Sequence, residues 1–133
     1  MKQTTEKEGF IEFEYFSLWI EGGNIHFVCK PDAIITLDIA KYMIVERLKL
    51  SNGIMRPILM DVRNILIIEV KARQFFASKE ANHLLSASAI LLNNALIRLA
   101  INIFILIDKP QAPTQLFTDQ KLALHWLESF KHN

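Results

Sequence analysis

The sequence predicts one α/β domain built on a mixed β-sheet. Three observations lead to this fold class. The chain has 133 residues, close to the usual size of a domain with a single hydrophobic core. Its beginning has the pattern of a β-hairpin, and its remainder alternates short apolar runs with segments of helical periodicity. Because hairpin strands are antiparallel and strands joined by helices are parallel, the sheet must contain both kinds. The predicted order is β-β-α-β-α-β-α-β-α.

The N-terminal segment predicts a short tail followed by the hairpin. Residues 1–8 contain no apolar run, so we expect a disordered tail and a domain that spans 9–133. In "FIEFEYFSLWI", Ile11, Phe13 and Tyr15 alternate with glutamates, which is the two-residue period of a half-buried strand. The glycines of "EGGN" permit a tight reversal, and "IHFVCK" continues as the second strand.

The middle of the chain predicts a helix, a central strand and a second helix. Thr36 can cap a helix that runs to about Ser51, and Gly53 can end it. The run "PILMDV" is apolar on both faces until Asp61, which is typical of a strand in the centre of a sheet. The second helix begins at about Glu69.

The C-terminal half predicts two further strands, each followed or preceded by a helix. The runs "SASAILL" and "PTQLF" have the composition of strands, and "NNALIRLAINIFILI" between them is predicted to be a helix. Thr118 can cap a last helix. The buried face of that helix is predicted to contain Leu122, Trp126, Leu127 and Phe130.

The segment 89–107, "AILLNNALIRLAINIFILI", is long and apolar enough to raise the question of a membrane span. Arg98 falls at its middle, and a charged side chain at the bilayer centre is unfavourable by about 2.5–3.5 kcal/mol. The amides of Asn93 and Asn94 are also unsuited to lipid. We therefore predict no span, but a strand before the asparagine pair and a helix after it. The alternating isoleucines of 101–107 leave a strand open as the alternative there.

The predicted helix near 95–107 is apolar around most of its circumference, so one neighbouring sheet is not enough to cover it. A homo-oligomer, most simply a dimer, is the favoured explanation, and a different protein partner is the second. The alternative is that neighbouring helices of the same chain cover the segment. The interface would be formed by Leu96, Leu99, Ile103, Phe104 and Ile107.

Composition and spacing argue against several functional classes. The net charge is +1 and no stretch concentrates lysine or arginine, so nucleic acid is not an expected partner. The single cysteine, Cys29, has no partner for an internal disulfide, and no signal peptide precedes it, which favours the cytoplasm. The four histidines form no metal-binding spacing with each other or with Cys29. We therefore predict no metal, no cofactor and no enzymatic activity.

One polar set could form a ligand site. Asp61 and Arg63 follow a central strand, Asn93 and Asn94 follow the next, and Arg73 and Arg98 could reach inward from helices. In α/β sheets, ligands bind beyond the carboxyl ends of the strands, so this set could hold a small anion or a nucleotide. The favoured alternative is structural, with one or both of the nearby arginines neutralising the acidic strand end.

Four segments carry a resemblance to a known family: "RPILMDVRNI", "KARQFF", "ASAILLNNALIRLAINIFI" and "PTQLFTDQKLALHWL". Together they resemble the small bacterial STAS-like proteins, which have the fold of anti-sigma-factor antagonists. The resemblance covers roughly residues 25–130 and is most specific in "LFTDQKLALHWL". It implies a mixed sheet with helices mainly on one face and a non-catalytic role.

Regulatory STAS domains resemble a switch in which a serine at the start of the helix after the central strand is phosphorylated. The corresponding stretch here, "DVRNILIIEVKARQFF", contains no serine or threonine, and Glu69 lies near the helix start instead. A glutamate there can favour the helix dipole but cannot be switched by a kinase.

Three functional hypotheses follow. The first is a protein-interaction module that associates with itself or with another protein through the helix near 95–107. The second is a carrier of a small molecule or lipid, because a sheet covered by helices on one side can open an apolar pocket beneath such a helix. The third, an enzyme acting at Asp61, Arg63 and Arg73, lacks a nucleophile or general base placed by spacing.

Overall fold

The computed structural model describes residues 7–131. The main sheet has six strands in the order β1-β2-β3-β5-β7-β8, and a separate two-stranded sheet pairs β4 with β6. The strands are β1 (Glu8–Glu12), β2 (Phe16–Glu21), β3 (Asn24–Cys29), β4 (Ile34–Ile35), β5 (Arg56–Asp61), β6 (Ile67–Ile68), β7 (Leu85–Leu91) and β8 (Thr114–Phe117). The α-helices are α1 (Leu37–Ser51), α2 (Val70–Phe76), α3 (Ala95–Ile103) and α4 (Gln120–Glu128), and a π-helical turn (Phe104–Asp108) extends α3.

The sheet is mixed, as predicted. The pairs β1·β2 and β2·β3 are antiparallel, and β3·β5, β5·β7 and β7·β8 are parallel. From β2 onward, the elements of the main sheet and the four α-helices follow the predicted order β-β-α-β-α-β-α-β-α. The fold class is therefore confirmed.

The first predicted strand is in fact two strands, because the chain leaves the sheet at residues 13–15. Phe13 does not continue the alternation of Ile11. Its ring packs instead against Phe16, at 4.8 Å between ring centroids, and against Tyr42 of α1, at 5.3 Å. Of the predicted tail, residues 1–6 lie outside the described part of the chain, and Glu8 already belongs to β1.

Helix α1 begins and ends where its sequence signals predict. The Thr36 side chain accepts a hydrogen bond from the backbone N–H of Ile39 at 3.2 Å. Asn52 and Gly53 then adopt left-handed conformations with φ of 51° and 78°, which ends the helix before β5.

The segment 95–107 is helical, so the strand alternative for 101–107 is wrong. The Asn94 side chain caps α3 by accepting from the N–H groups of Leu96 (2.8 Å) and Ile97 (3.3 Å). The predicted cap of α4 is wrong by one residue, since Asp119 rather than Thr118 accepts from the first free N–H groups. Leu122, predicted to be buried on α4, is exposed.

The helices cover the two faces of the sheet unequally. Helices α1, α2 and α3 pack on one face, over the larger core, which includes Phe16, Phe27, Ile58 and Ile90 from the strands. Helix α4 lies alone on the other face. There the alanines of β7 and α4 permit close contact between helix and sheet. The prediction of helices mainly on one face is confirmed.

Candidate binding surfaces: an apolar helix face and an internal cavity

The predicted polar set is only partly brought together. At the end of β5, Arg63 donates from Nε and from one terminal nitrogen to the two carboxylate oxygens of Asp61, at 3.1 and 2.8 Å. This hydrogen bond raises the pKa of Arg63. Asp61 is thus neutralised by its own neighbour, which agrees with the structural alternative.

Arg73 pairs with Asp108 and not with Asp61, so its charge is already neutralised. It projects from α2 to Asp108 at the end of the π-helical turn, with 2.6 Å between Nε and Oδ2. Both side chains are mostly buried, so the pair joins α2 to the end of α3 away from solvent.

The remaining members of the predicted set lie at the start of α3 and on it. Asn94 is occupied as the helix cap, whereas Asn93 and Arg98 are exposed. An anion site formed by the whole set stays a prediction, and the contacts give Asp61, Arg63, Arg73 and Asn94 structural roles.

Helix α3 has two apolar stripes with different environments. One stripe, formed by Ile97, Ile101 and Phe104, lies in the core, and we call it the inner stripe. Phe104 is therefore not available as the interface residue that we predicted. The second stripe is exposed and consists of Leu96, Leu99, Leu106 and Ile107, whose exposed fractions range from 60% to 77%. We call these four residues the α3 face. The predicted interface residue Ile103 is half-buried.

Exposed aliphatic side chains also occur on the small sheet and at the start of α2. In the small sheet, Ile34 of β4 pairs with Ile67 of β6, and both are about half exposed. Leu66 and Val70 flank β6 and are similarly exposed. Helix α3 contacts β6, so these side chains extend the apolar surface beyond the α3 face. Apolar surface gathered in this way is typical of an interaction site.

A cavity of about 80 Å³ lies between the sheet and the helices α1, α2 and α3. Its walls are mainly apolar and include Phe27, Met43, Ile58, Ile90, Ile101 and Phe104. Most of these residues belong to the larger core, and the cavity therefore lies inside the domain, beneath the inner stripe of α3.

Arg47 of α1 is a charged residue in the wall of this cavity, and its exposed fraction is 1%. Its two terminal nitrogens donate to the carbonyl oxygens of His83 (2.7 Å) and Ala81 (2.9 Å). Its Nε has no hydrogen-bond partner within residues 7–131, and no carboxylate of those residues pairs with it. Burial lowers the pKa of Arg47 to about 10, so the guanidinium remains charged at neutral pH.

The loop that receives Arg47 is held in place by Asn82. The Asn82 amide donates to the carbonyl oxygens of Phe76 (2.9 Å) and Ser78 (2.7 Å), and its oxygen accepts from Ala112 (3.2 Å). Leu84 has a φ of +64°, which is unusual for leucine and marks a constrained backbone. The acceptors of Arg47 are therefore fixed in position by the fold.

Sequence reasoning missed Arg47, although one signal was available. Arg47 follows the apolar residues Ala40 and Ile44 at helical spacing, so the three side chains lie on one face of α1. A charged residue on such a face is rare unless it has a special partner.

Two other side chains with reactive or titratable groups are buried. Cys29 lines the cavity, and desolvation, with a further contribution from the charge of Asp61, raises the pKa of its thiol to about 12. His26 stacks on Trp19 with the ring centroids 5.3 Å apart, and its pKa is lowered mainly by burial. Within residues 7–131, no group of three or more His, Cys, Asp or Glu is placed to hold a metal. His132 lies outside that range.

Comparison with solved structures places the architecture in a known class. The chain is similar to the crystal structure of an uncharacterised protein of the DUF3478 family with a SpoIIAA-like fold, from Shewanella loihica PV-4. The TM-score is 0.55, the sequence identity is 15%, and the match covers 96% of this chain and 99% of that chain. This likeness shows the fold alone, and it confirms the resemblance to the anti-sigma-factor antagonist fold.

The protein also matches a family model over residues 18–131, from β2 to the end of the described structure. The chain belongs to this family, described as "Domain of unknown function (DUF7793)". Comparison with curated proteins gave no match. Within the described residues, no helix has the length and hydropathy that crossing a membrane would require.

The switch position of regulatory STAS domains can also be located in the structure. Glu69 is the N-cap residue of α2, but its side chain makes no capping hydrogen bond. No serine or threonine lies between Asp61 and Phe76. The expectation that this helix carries no phosphorylation switch therefore depends only on the lack of a serine or threonine, and not on any contact of Glu69.

Proposed function

We propose that the protein is a non-catalytic interaction module that forms a homodimer through the α3 face. The observation that carries this proposal is the exposure of four large aliphatic side chains on one side of α3 and its π-helical turn. Packing such side chains against each other removes their apolar surface from water. This stabilises the association by about 25 cal/mol for each Å² covered.

A symmetric dimer fits the arrangement of this surface. In a two-fold interface the same patch serves on both subunits, so a self-complementary apolar surface is sufficient. Stable interfaces cover about 800 Å² on each partner, more than one short helix provides. The exposed residues of the small sheet and of the start of α2 supply the additional apolar area beside the α3 face.

A non-catalytic role is supported by the state of the reactive groups. Asp61 is paired with Arg63, and Arg73 with Asp108, which leaves neither carboxylate free to act as a base. The raised pKa of Cys29 keeps its thiol protonated at neutral pH, and a protonated thiol is a poor nucleophile. A cytoplasmic location remains a prediction from the sequence.

Sedimentation velocity on a pair of matched variants tests the dimer. Leu99→Glu places a charge in the α3 face, and Leu122→Glu places the same charge on an equally exposed leucine of α4, on the opposite side of the sheet. We expect the wild type and Leu122→Glu to be dimeric at high micromolar concentration and Leu99→Glu to be monomeric. A monomeric wild type, or equal effects of the two substitutions, would contradict the proposal.

The second candidate function is a carrier of a small molecule, and the cavity beneath α3 favours it. A complete lipid chain exceeds the cavity volume, so the cargo would be small. Native mass spectrometry of the purified protein provides the test. A mass excess that disappears on denaturation supports a carrier, and protein without a mass excess after incubation with small candidate ligands contradicts it.

A further inference from the structure

We infer that the cavity beneath α3 binds a short-chain carboxylate whose anionic group pairs with the guanidinium of Arg47. The inference deepens the second candidate function and rests on it, because it assigns the chemical class of the cargo. It is independent of the dimer.

The first argument is the uncompensated charge of Arg47. Removing a charged group from water is strongly unfavourable unless a counter-charge and hydrogen bonds replace the water. A guanidinium has five N–H donors, and only two of them reach carbonyl oxygens in the described structure. Carbonyl oxygens satisfy donors but carry no full negative charge. Among residues 7–131, Arg47 thus has neither a counter-ion nor a partner for Nε.

The second argument is that three other polar side chains around the cavity already have partners. Arg73 is paired with Asp108, the amide of Asn82 holds the loop, and the Thr114 hydroxyl donates to the carbonyl oxygen of Ala112 at 2.9 Å. The Cys29 thiol stays neutral because its pKa is raised. Of the two lining arginines, Arg73 has a carboxylate partner, whereas Arg47 pairs with no carboxylate of the described residues.

The shape and size of the cavity select the ligand class. A planar carboxylate matches the fork of N–H groups on a guanidinium, and the mainly apolar walls suit an alkyl chain. A dry cavity of about 150 Å³ accommodates benzene. About half that volume accommodates a carboxylate of about two or three carbons, such as acetate or propionate, without rearrangement of the walls.

A titration followed by NMR on ¹⁵N-labelled full-length protein tests the inference. The probes are acetate, its neutral isostere acetamide, and hexanoate, which is too long for the cavity. We expect acetate to shift the Nε–H resonance of Arg47 and to saturate, with acetamide binding about tenfold more weakly because it lacks the charge. Hexanoate is expected to bind more weakly than acetate.

Three variants locate the site. Arg47→Met removes the charged group and is expected to weaken acetate binding by about tenfold or more. Lys41→Met removes the same formal charge from an exposed position on the same helix and is expected to leave binding unchanged. Cys29→Met keeps Arg47 but fills part of the cavity with a longer side chain, and it is also expected to weaken binding. If Arg47→Met does not fold, the Cys29→Met and acetamide comparisons decide.

The outcomes separate this inference from the carrier function itself. No acetate or propionate binding by folded wild-type protein would overturn the inference, since a water molecule alone would then satisfy Nε. Equal binding of acetate and acetamide would also overturn it while leaving a carrier of neutral molecules intact. Binding that persists unchanged in Cys29→Met would place the site elsewhere and would overturn it as well.

Discussion

Arg47 and Cys29 both line the cavity, and burial has opposite effects on their pKa values. The pKa of Arg47 falls to about 10 and that of Cys29 rises to about 12, because a low-dielectric environment disfavours the charged form of either group. At neutral pH the guanidinium is nevertheless charged and the thiol is neutral. The wall of the cavity therefore carries a fixed positive charge at Arg47, and Cys29 does not offset it.

The raised pKa of Cys29 predicts a loss of stability at alkaline pH. The ordinary pKa of about 9 applies in the unfolded chain, so above pH 9 the unfolded state releases a proton that the folded state retains until about pH 12. Ionisation therefore favours unfolding between these values. We expect the free energy of unfolding to fall by about 1.4 kcal/mol for each pH unit within that window.

The measurement is urea denaturation at several pH values, with Cys29→Ala as the reference for all other titrating groups. The contribution of Cys29 is the difference between the pH dependences of the two proteins. A wild type that loses no more stability than Cys29→Ala between pH 9 and 11 would show that the thiol ionises in the folded state as readily as in the unfolded state.

Individual contacts of the candidate sites differ in how far the sequence predicts them. Asp61 and Arg63 are two residues apart, so their pairing could be anticipated from local sequence. The pair of Arg73 and Asp108 spans 35 residues and depends on how α2 packs against the π-helical turn, which no local pattern specifies. The buried state of Arg47 likewise depends on the loop that supplies its two carbonyl acceptors.

At the scale of elements, α3 shows how local signals compete. Its alternating isoleucines favour a strand, yet the segment is helical. The asparagine cap satisfies two free N–H groups at its start, and the inner stripe packs at helical spacing against the core. Capping and packing together outweigh the propensity of the β-branched residues.

The cap of α3 can be tested by a pair of adjacent substitutions. Asn94→Ala removes the side-chain acceptor of two hydrogen bonds and is expected to lower the free energy of unfolding by about 1 kcal/mol. Asn93→Ala changes the exposed neighbour and is expected to have little effect. Chemical denaturation of both variants provides the comparison. Equal losses would mean that the helix does not begin as described.

Short strands and interruptions of strands could not be predicted from the sequence. Strands β4 and β6 contain two residues each, which is too short for a period to be recognised. The division between β1 and β2 arises because Phe13 packs against aromatic residues of β2 and α1, a contact that follows from the tertiary structure. The alternation of Ile11, Phe13 and Tyr15 gives no indication of it.

For the whole molecule, the fold class could be predicted because it depends on long periodic segments, and the placement of most helices on one face was implied by the family resemblance. The cavity could not. Its volume depends on how closely three helices approach the same sheet face, and it would vanish if a few wall side chains were slightly larger. Residue patterns predict which side chains are buried but not how completely they fill the space between the elements.

The proposed dimer makes the thermal stability of the molecule depend on its concentration. Because the folded state associates and the unfolded state does not, increasing the concentration favours the folded dimer. A tenfold increase in protein concentration stabilises the folded dimer by about 1.4 kcal/mol, which is about 0.7 kcal/mol for each of its two chains. In a chain of this length, the unfolding midpoint should rise by about 2 °C.

Differential scanning calorimetry from low to high micromolar concentration measures this dependence. The Leu99→Glu variant should show a constant midpoint, because its α3 face no longer associates, whereas Leu122→Glu should behave as the wild type. A wild-type midpoint that does not change with concentration would mean that the α3 face stays exposed to water in the folded protein. The apolar side chains of α3 would then require a partner other than a second copy of this chain.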